Sequence, residues 1–194
     1  MKFNNGLEIG ASDAAGSFIL KHYPIFEKAT LIEPNIILFR DLMEKTSNLK
    51  NITIQNFAIS DYSGTEKLYH IGRSSFLKNS YSFINLMSKS PWQGSLPEHY
   101  LSKLSLPIEV VDIKSFDHND FDFISVSCNG SELSIIKNLI TKPKFLRCTF
   151  HFQNAEQCKY SQSIFSLLNE YSYEAINSIQ NETSTFKDII FKKI

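Results

Sequence analysis

Leu7-Glu8-Ile9-Gly10-Ala11-Ser12-Asp13 is the stretch on which the fold turns. Gly6–Ile9 reads as a short apolar strand, and Gly10 stands where the chain leaves it. Beyond it Ala14, Ala15, Phe18, Ile19 and His22 recur at helical spacing. Ser12 is placed to cap that helix, and Pro24 follows its end. A strand that turns at a glycine into a helix is the unit of an open α/β sheet, whose ligands bind beyond the carboxyl ends of the strands. A missing side chain at Gly10 lets backbone N–H groups come close to such a ligand. The dinucleotide pattern Gly-x-Gly-x-x-Gly needs glycine at 10, 12 and 15. The chain has Gly10, Ser12 and Ala15, which argues against a nicotinamide oxidoreductase.

Outward from this stretch, apolar runs alternate with amphipathic ones. Ala29–Ile32 reads as a second strand ended by Pro34, and residues 36–45 as a helix. Asn51–Ile59 and Thr65–Ile71 read as strands, with the turn Tyr62-Ser63-Gly64 between them. Residues 72–107 are Ser-rich, carry Pro91, Pro97 and Pro107, and hold no period. They are expected to form a long insertion or lid, with a little helix near Tyr81–Met87. Order returns with strands at Ile108–Ile113, Phe121–Val126 and Phe145–Phe152, and helices at Ser131–Leu139 and Ser161–Glu170. Tyr173–Ile179 and Thr185–Phe191 follow without a helix between them, as a terminal antiparallel hairpin. The pattern predicts an open, mostly parallel α/β sheet wrapped on both faces.

Composition narrows the function. Of 194 residues, 20 are Lys or Arg and 20 are Asp or Glu, a formal net charge of zero. No excess of positive charge offers a nucleic acid a surface. No apolar run reaches the roughly 18 residues of a membrane span, and no signal-peptide pattern opens the chain. The three cysteines, Cys128, Cys148 and Cys158, are widely spaced, and neither they nor the histidines form a metal-ligand pattern. A reduced, cytoplasmic protein without a metal is the expectation.

Glu33, at the end of the second strand, lies 23 residues beyond Gly10, near the offset of about 20 at which an acid meets a ribose in such sheets. Its carboxylate accepts hydroxyl protons through two oxygens. Gly10 and Glu33 together favour nucleoside binding.

A family resemblance gathers these pieces. Leu7–Ser12, Leu31-Ile32-Glu33-Pro34-Asn35 and Asn56-Phe57-Ala58-Ile59-Ser60-Asp61 with Gly64 are followed by Ser74-Ser75 and Val111-Asp112. The stretch from Asp122 to Leu133 closes the series. In this order they resemble the FkbM-type S-adenosylmethionine-dependent methyltransferases, over roughly residues 6–175. The resemblance implies a Rossmann-like class I fold: a mostly parallel seven-stranded sheet, helices on both faces, a terminal hairpin. It implies one methyltransferase-like domain over residues 1–194 with the excursion at 72–107. It implies S-adenosylmethionine as cofactor, with Glu8 and Gly10 toward its methionine part, Glu33 at the ribose, and Ala11, Ser12 and Pro34 also among the residues that bind it. Asn56, Phe57 and Ala58 would border the adenine.

The chain also departs from the family. The fourth-strand motif of the family carries a Lys where this chain has Ser125 and an Asp where it has Ser127; Asn129 replaces an acid or amide, while Gly130 and Glu132 are kept. Ser127 and Asn129 are thus the residues expected beside the transferred methyl group. His151, near the end of a strand, is the candidate general base, since imidazole titrates close to neutral pH. Phe57, Phe150 and Phe152 are expected at strand ends near the cofactor. The activity implied is O-methylation of a small molecule or glycan. The competing reading, which the two serines motivate, is a catalytically degenerate protein that keeps the fold as a nucleoside-binding or scaffolding module.

Overall fold

The computed structural model describes residues 2–71, 74–80, 105–118, 120–152, 155–179 and 186–194. Its main sheet has seven strands. They are β1 (Phe3–Ile9), β2 (Phe26–Ile32), β3 (Ile52–Gln55), β8 (Phe123–Val126), β9 (Phe145–His151), β10 (Tyr173–Ile179) and β11 (Phe186–Lys193). Their order is β10-β11-β9-β8-β1-β2-β3. β1 pairs in parallel with β2 and β8, β2 with β3 and β8 with β9; β11 alone runs antiparallel to its neighbours β9 and β10. The predicted parallel sheet and closing hairpin are both present. β8 and β9 are buried along nearly their whole length; for β8 this is why both faces are mostly apolar.

Helices cover both faces. Under α1 (Phe18–Lys21) and α2 (Ile36–Thr46) the rings of Phe3, Phe18, Phe26, Phe123 and Phe145 pack with Ile19 and Leu42. Phe3 lies 5.0 Å from Phe26 and 4.9 Å from Phe123, ring centre to ring centre. Gly6 leaves room for this cluster, because a Cβ there would stand 2.8 Å from the Phe26 ring. On the other face, α4 (Glu132–Asn138) and α5 (Ala155–Glu170) bury Ile135, Ile136, Ile164 and Leu168 against Leu7, Ile9, Ile124, Val126 and Phe150. Each such side chain, fully buried, contributes about 1.5–3 kcal/mol.

A second sheet, absent from the sequence reading, has the order β4-β7-β5-β6. It comprises β4 (Ala58–Ser60), β5 (Gly64–Ile71), β6 (Ser74–Leu77) and β7 (Ser105–Asp112), and β7 runs into α3 (Ile113–Phe116). Its strands correct two expectations. Asn51–Ile59 is two strands in two sheets, because the Asn56 amide donates to the Glu33 and Pro34 carbonyls, at 2.8 and 3.1 Å, and turns the chain between them. Both ends of the expected insertion are strand: β6 pairs with β5, and β7 begins at Ser105 rather than Ile108. The helix expected near Tyr81–Met87 lies outside the described residues.

The first helix is also shorter than its spacing suggests. Residues 13–17 form a turn, with the Asp13 carbonyl accepting from the Gly16 and Ser17 N–H groups, so helix begins only at Phe18. Ser17, not Ser12, caps it, its hydroxyl accepting from the Leu20 N–H at 3.1 Å. Ser12 instead has a φ of 62° and faces the carboxyl edge of the sheet.

Candidate active site

The carboxyl ends of β1, β2, β8 and β9 open into one cavity of about 480 Å³, roofed by the second sheet. Its floor begins at Gly10, which has a φ of 79° and a backbone packed against the next loop. A Cβ at that position would stand 2.0 Å from the Ser127 carbonyl oxygen, so no other residue fits. The Gly10 and Ala11 N–H groups both donate to the Ile32 carbonyl, and the Ser127 N–H donates to that of Ile9. These bonds draw the three strand ends together.

Glu33 lies at one end of the cavity, buried. Its oxygens accept from the Ser12 N–H at 2.7 Å and the Asn35 N–H at 2.8 Å. Burial pushes its carboxyl up to about 7, against the pull of those two backbone bonds. Each oxygen still has a lone pair for a second donor. Two N–H groups fixing the carboxylate, with its remaining lone pairs on the cavity, suit the hydroxyls of a ribose. The residues present therefore fit a nucleoside cofactor.

Ser127, Thr149 and His151 lie at the other end, with Asn129 on the wall. Thr149 is hydrogen-bonded to Ser127 at 3.0 Å and to the Asp188 carboxylate at 2.7 Å. Asn129, at a φ of 50°, donates to the Ser75 carbonyl of β6 at 3.0 Å. Asn35 donates to the Ser75 hydroxyl, also at 3.0 Å, after capping α2 with its own side-chain oxygen. The roof strand is thus tied to loops at both ends of the floor. Below Asn129, buried Glu132 accepts from the Cys128 and Gly130 N–H groups, each at 2.8 Å, and holds the corner rigid. Burial and the nearby Glu132 push the Cys128 thiol well up, so it faces the cavity as a neutral thiol and not as a nucleophile.

Of the residues read from sequence, Gly10, Ser12, Glu33, Pro34, Ala58, Ser127, Asn129 and His151 meet on this cavity. Glu8, Ala11, Asn56 and Phe57 stand behind its wall. Glu8 spends both oxygens on α1, accepting from the Ser17 hydroxyl at 2.5 Å and from the Phe18 and Ile19 N–H groups at 2.7 and 3.0 Å. Burial raises its carboxyl, opposed first by the Arg147 guanidinium. Asn56 shapes the loop that carries Glu33 and Pro34. Phe57 packs edge-on to Phe116 at 5.8 Å, and Phe150 is core, stacked on Phe165 at 4.5 Å. Sequence reasoning missed Ser75 and Thr149. Ser75 carried no chemical signal of its own, whereas Thr149 was visible as a polar residue two places before His151 in an apolar strand.

Known proteins place this geometry. The family model described as the methyltransferase FkbM domain matches residues 8–175, most of the chain and every described residue that lines the cavity. The chain belongs to the FkbM methyltransferase family. Its fold is that of the class I S-adenosylmethionine-dependent methyltransferases, and S-adenosylmethionine is the cofactor of that class. The FkbM methyltransferase of Methylobacillus flagellatus KT superposes with a TM-score of 0.59 at 16% identity, over 97% of this chain and 43% of that one. The N-methyltransferase NodS of Bradyrhizobium japonicum WM9, in complex with S-adenosyl-L-homocysteine, gives 0.53 at 15% identity, over 99% and 79%. Aeropyrum pernix fibrillarin with bound S-adenosyl-L-methionine gives 0.54 at 9%, over 98% and 66%. This FkbM chain thus spans less than half the length of the Methylobacillus protein. A comparison with curated proteins finds no sequence match. Among the described residues, no helix is long and apolar enough to cross a membrane.

Proposed function

We propose that this FkbM domain methylates a hydroxyl oxygen of a small molecule or glycan, with S-adenosylmethionine as the methyl donor. The observation that carries the reading is the cavity itself. Glu33 lies at the end of β2 and the Ser127, Thr149 and His151 group at the ends of β8 and β9. From β2 across β1, that is two strand spacings to β8 and three to β9, about 10–14 Å. Glu33 would hold the ribose, with Ser12 and Pro34 beside it and Ala58 toward the base. The bound cofactor supplies an electrophilic methyl carbon. His151 would take the proton of the acceptor hydroxyl as its oxygen bonds to that carbon and the carbon–sulfur bond breaks. Positioning of the acceptor in line supplies most of the acceleration, and a base adds to it when the hydroxyl is weakly acidic. On this reading residues 1–194 form one domain, and the 72–107 excursion shapes the acceptor side. The balance of charge suits a small or neutral acceptor in the cytoplasm.

One observation favours the competing reading of a non-catalytic nucleoside-binding module. Glu33 is the only carboxylate among the described cavity residues, and it lies at the ribose end. The two separate by experiment. Calorimetry should detect S-adenosylhomocysteine binding that Glu33→Ala weakens about 10- to 100-fold, the worth of a hydrogen bond to a charged group. No binding at millimolar ligand refutes both readings. Labelled-methyl transfer to a panel of hydroxylated small molecules and glycans then decides between them. With an acceptor found, His151→Ala should lower kcat at saturating S-adenosylmethionine by about 100-fold or more. An unchanged kcat removes His151 as the base.

A further inference from the structure

The main sheet carries a polar row, buried except at its half-buried end Asp188, to which the proposed reaction assigns no step. On adjacent strands, Glu8 of β1 stands opposite Ser125 of β8, and Ser125 opposite Arg147 of β9. One pair along, Thr149 of β9 stands opposite Asp188 of β11. The Arg147 guanidinium donates to the Ser125 hydroxyl at 2.8 Å, pairs with Asp188 Oδ2 at 2.6 Å and lies 4.9 Å over the Phe18 ring. Asp188 Oδ1 takes the hydrogen bond from Thr149 at 2.7 Å. Both oxygens of Asp188 are therefore committed, and its orientation is fixed.

That commitment sets the direction of every proton in the chain. A carboxylate only accepts, so the Thr149 hydroxyl donates to Asp188. Thr149 has one proton, so across the 3.0 Å contact it is Ser127 that donates to Thr149. The Ser127 proton thus points into the sheet, and both of its lone pairs are left to the cavity. We propose that Asp188, acting through Thr149, is a positioning residue that turns Ser127 into an acceptor-only group on the cavity floor. Ser127 then selects a ligand group that carries a proton, a hydroxyl or an amine, and rejects a carboxylate or phosphate at that point. An acidic side chain is absent from position 127 itself; the negative charge stands two strands away, held by Arg147, and reaches the cavity as a hydrogen-bond direction.

The inference rests on the cavity holding the S-adenosyl nucleoside, with its sulfonium end over β8. Two analogues probe it. S-adenosylhomocysteine has a bare thioether there, and sinefungin has a protonated amine where the methylsulfonium stood. Calorimetry on the intact chain should find sinefungin bound at least about 10-fold more tightly, the effect of one charge-assisted hydrogen bond. Thr149→Val removes the hydroxyl and keeps the shape. It frees the Ser127 proton to turn outward, so the preference should fall below about 3-fold while S-adenosylhomocysteine affinity holds. Thr149→Ser should restore it. Should the valine variant not fold, Ser127→Ala serves in its place, with the same loss of preference expected. A preference equal in wild type and in the folded variant overturns the relay. Failure of wild type to bind S-adenosylhomocysteine at all overturns instead the cofactor reading beneath it.

Discussion

Gly10 and Glu33 show how single residues set this site. Gly10 is required twice over, by its φ of 79° and by the Ser127 carbonyl that a Cβ would meet at 2.0 Å. Gly10→Ala should therefore cost about 3–5 kcal/mol, backbone strain and overpacking together. Urea unfolding would show it, and a loss under 1 kcal/mol would contradict the packing described. Glu33 carries a pH dependence. Burial raises its carboxyl from 4.5 in the open chain to about 7 in the fold. The folded state then holds this proton more tightly than the unfolded chain. The stability it contributes, on the order of 3 kcal/mol, is complete below pH 4.5 and lost as pH rises through 7. On the proposed reading, in which two ribose hydroxyls donate to Glu33, ligand binding has the opposite sign, since they donate best to the ionised form. S-adenosylhomocysteine affinity should rise between pH 6 and 8 and then level, with proton release on binding near pH 7. Calorimetry in two buffers of different ionisation enthalpy measures that release.

At the scale of elements, α1 is a helix of four residues that owes its place to a strand. Glu8 of β1 accepts from its Ser17 cap and from two of its N–H groups. Glu8→Ala leaves those donors buried and unpaired, at about 1–3 kcal/mol each, and removes the acid that Arg147 faces. A fall in melting temperature of roughly 10 °C is expected, and an unchanged value would show that α1 is held by its apolar side alone. The same row explains what could be read from sequence. Strand, glycine turn and acid at the second strand end follow from local spacing, and so do the helices that begin after Asn35 and Ser131. The second sheet was hidden because β4 is three residues long and β6 four, too short for a period. The relay was hidden for another reason. Asp188 is 39 residues from Thr149, and only the closing hairpin brings it beside β9. Ser125 and Ser127 therefore read as losses, when the charges of the row stand on neighbouring strands. Ser12 and Ser17 are both good caps by type; the turn at Asp13, which depends on packing, decides between them.

Over the whole molecule, two sheets share one cavity, the larger giving the floor and the smaller the roof. β4 joins them in the core, where Ile59 belongs to the cluster of Leu7, Ile9 and Ile32, while at β6 Asn35 and Asn129 each hold Ser75 by one hydrogen bond. Asn129→Ala should leave unfolding nearly unchanged, within about 1.5 kcal/mol, yet weaken retention of bound S-adenosylhomocysteine. Stopped-flow displacement would register a faster off-rate, and an unchanged one would show that the roof does not confine the ligand. Among the described residues β6 is the outermost strand of its sheet, paired with β5. A methyltransferase must discard its spent cofactor once per cycle. On the proposed reading β6 lies over that cofactor, and its two side-chain bonds to the floor can open while its ladder to β5 and the buried Phe76 and Leu77 hold. The barrier to release is then local, so its height and the durability of the folded chain can evolve separately.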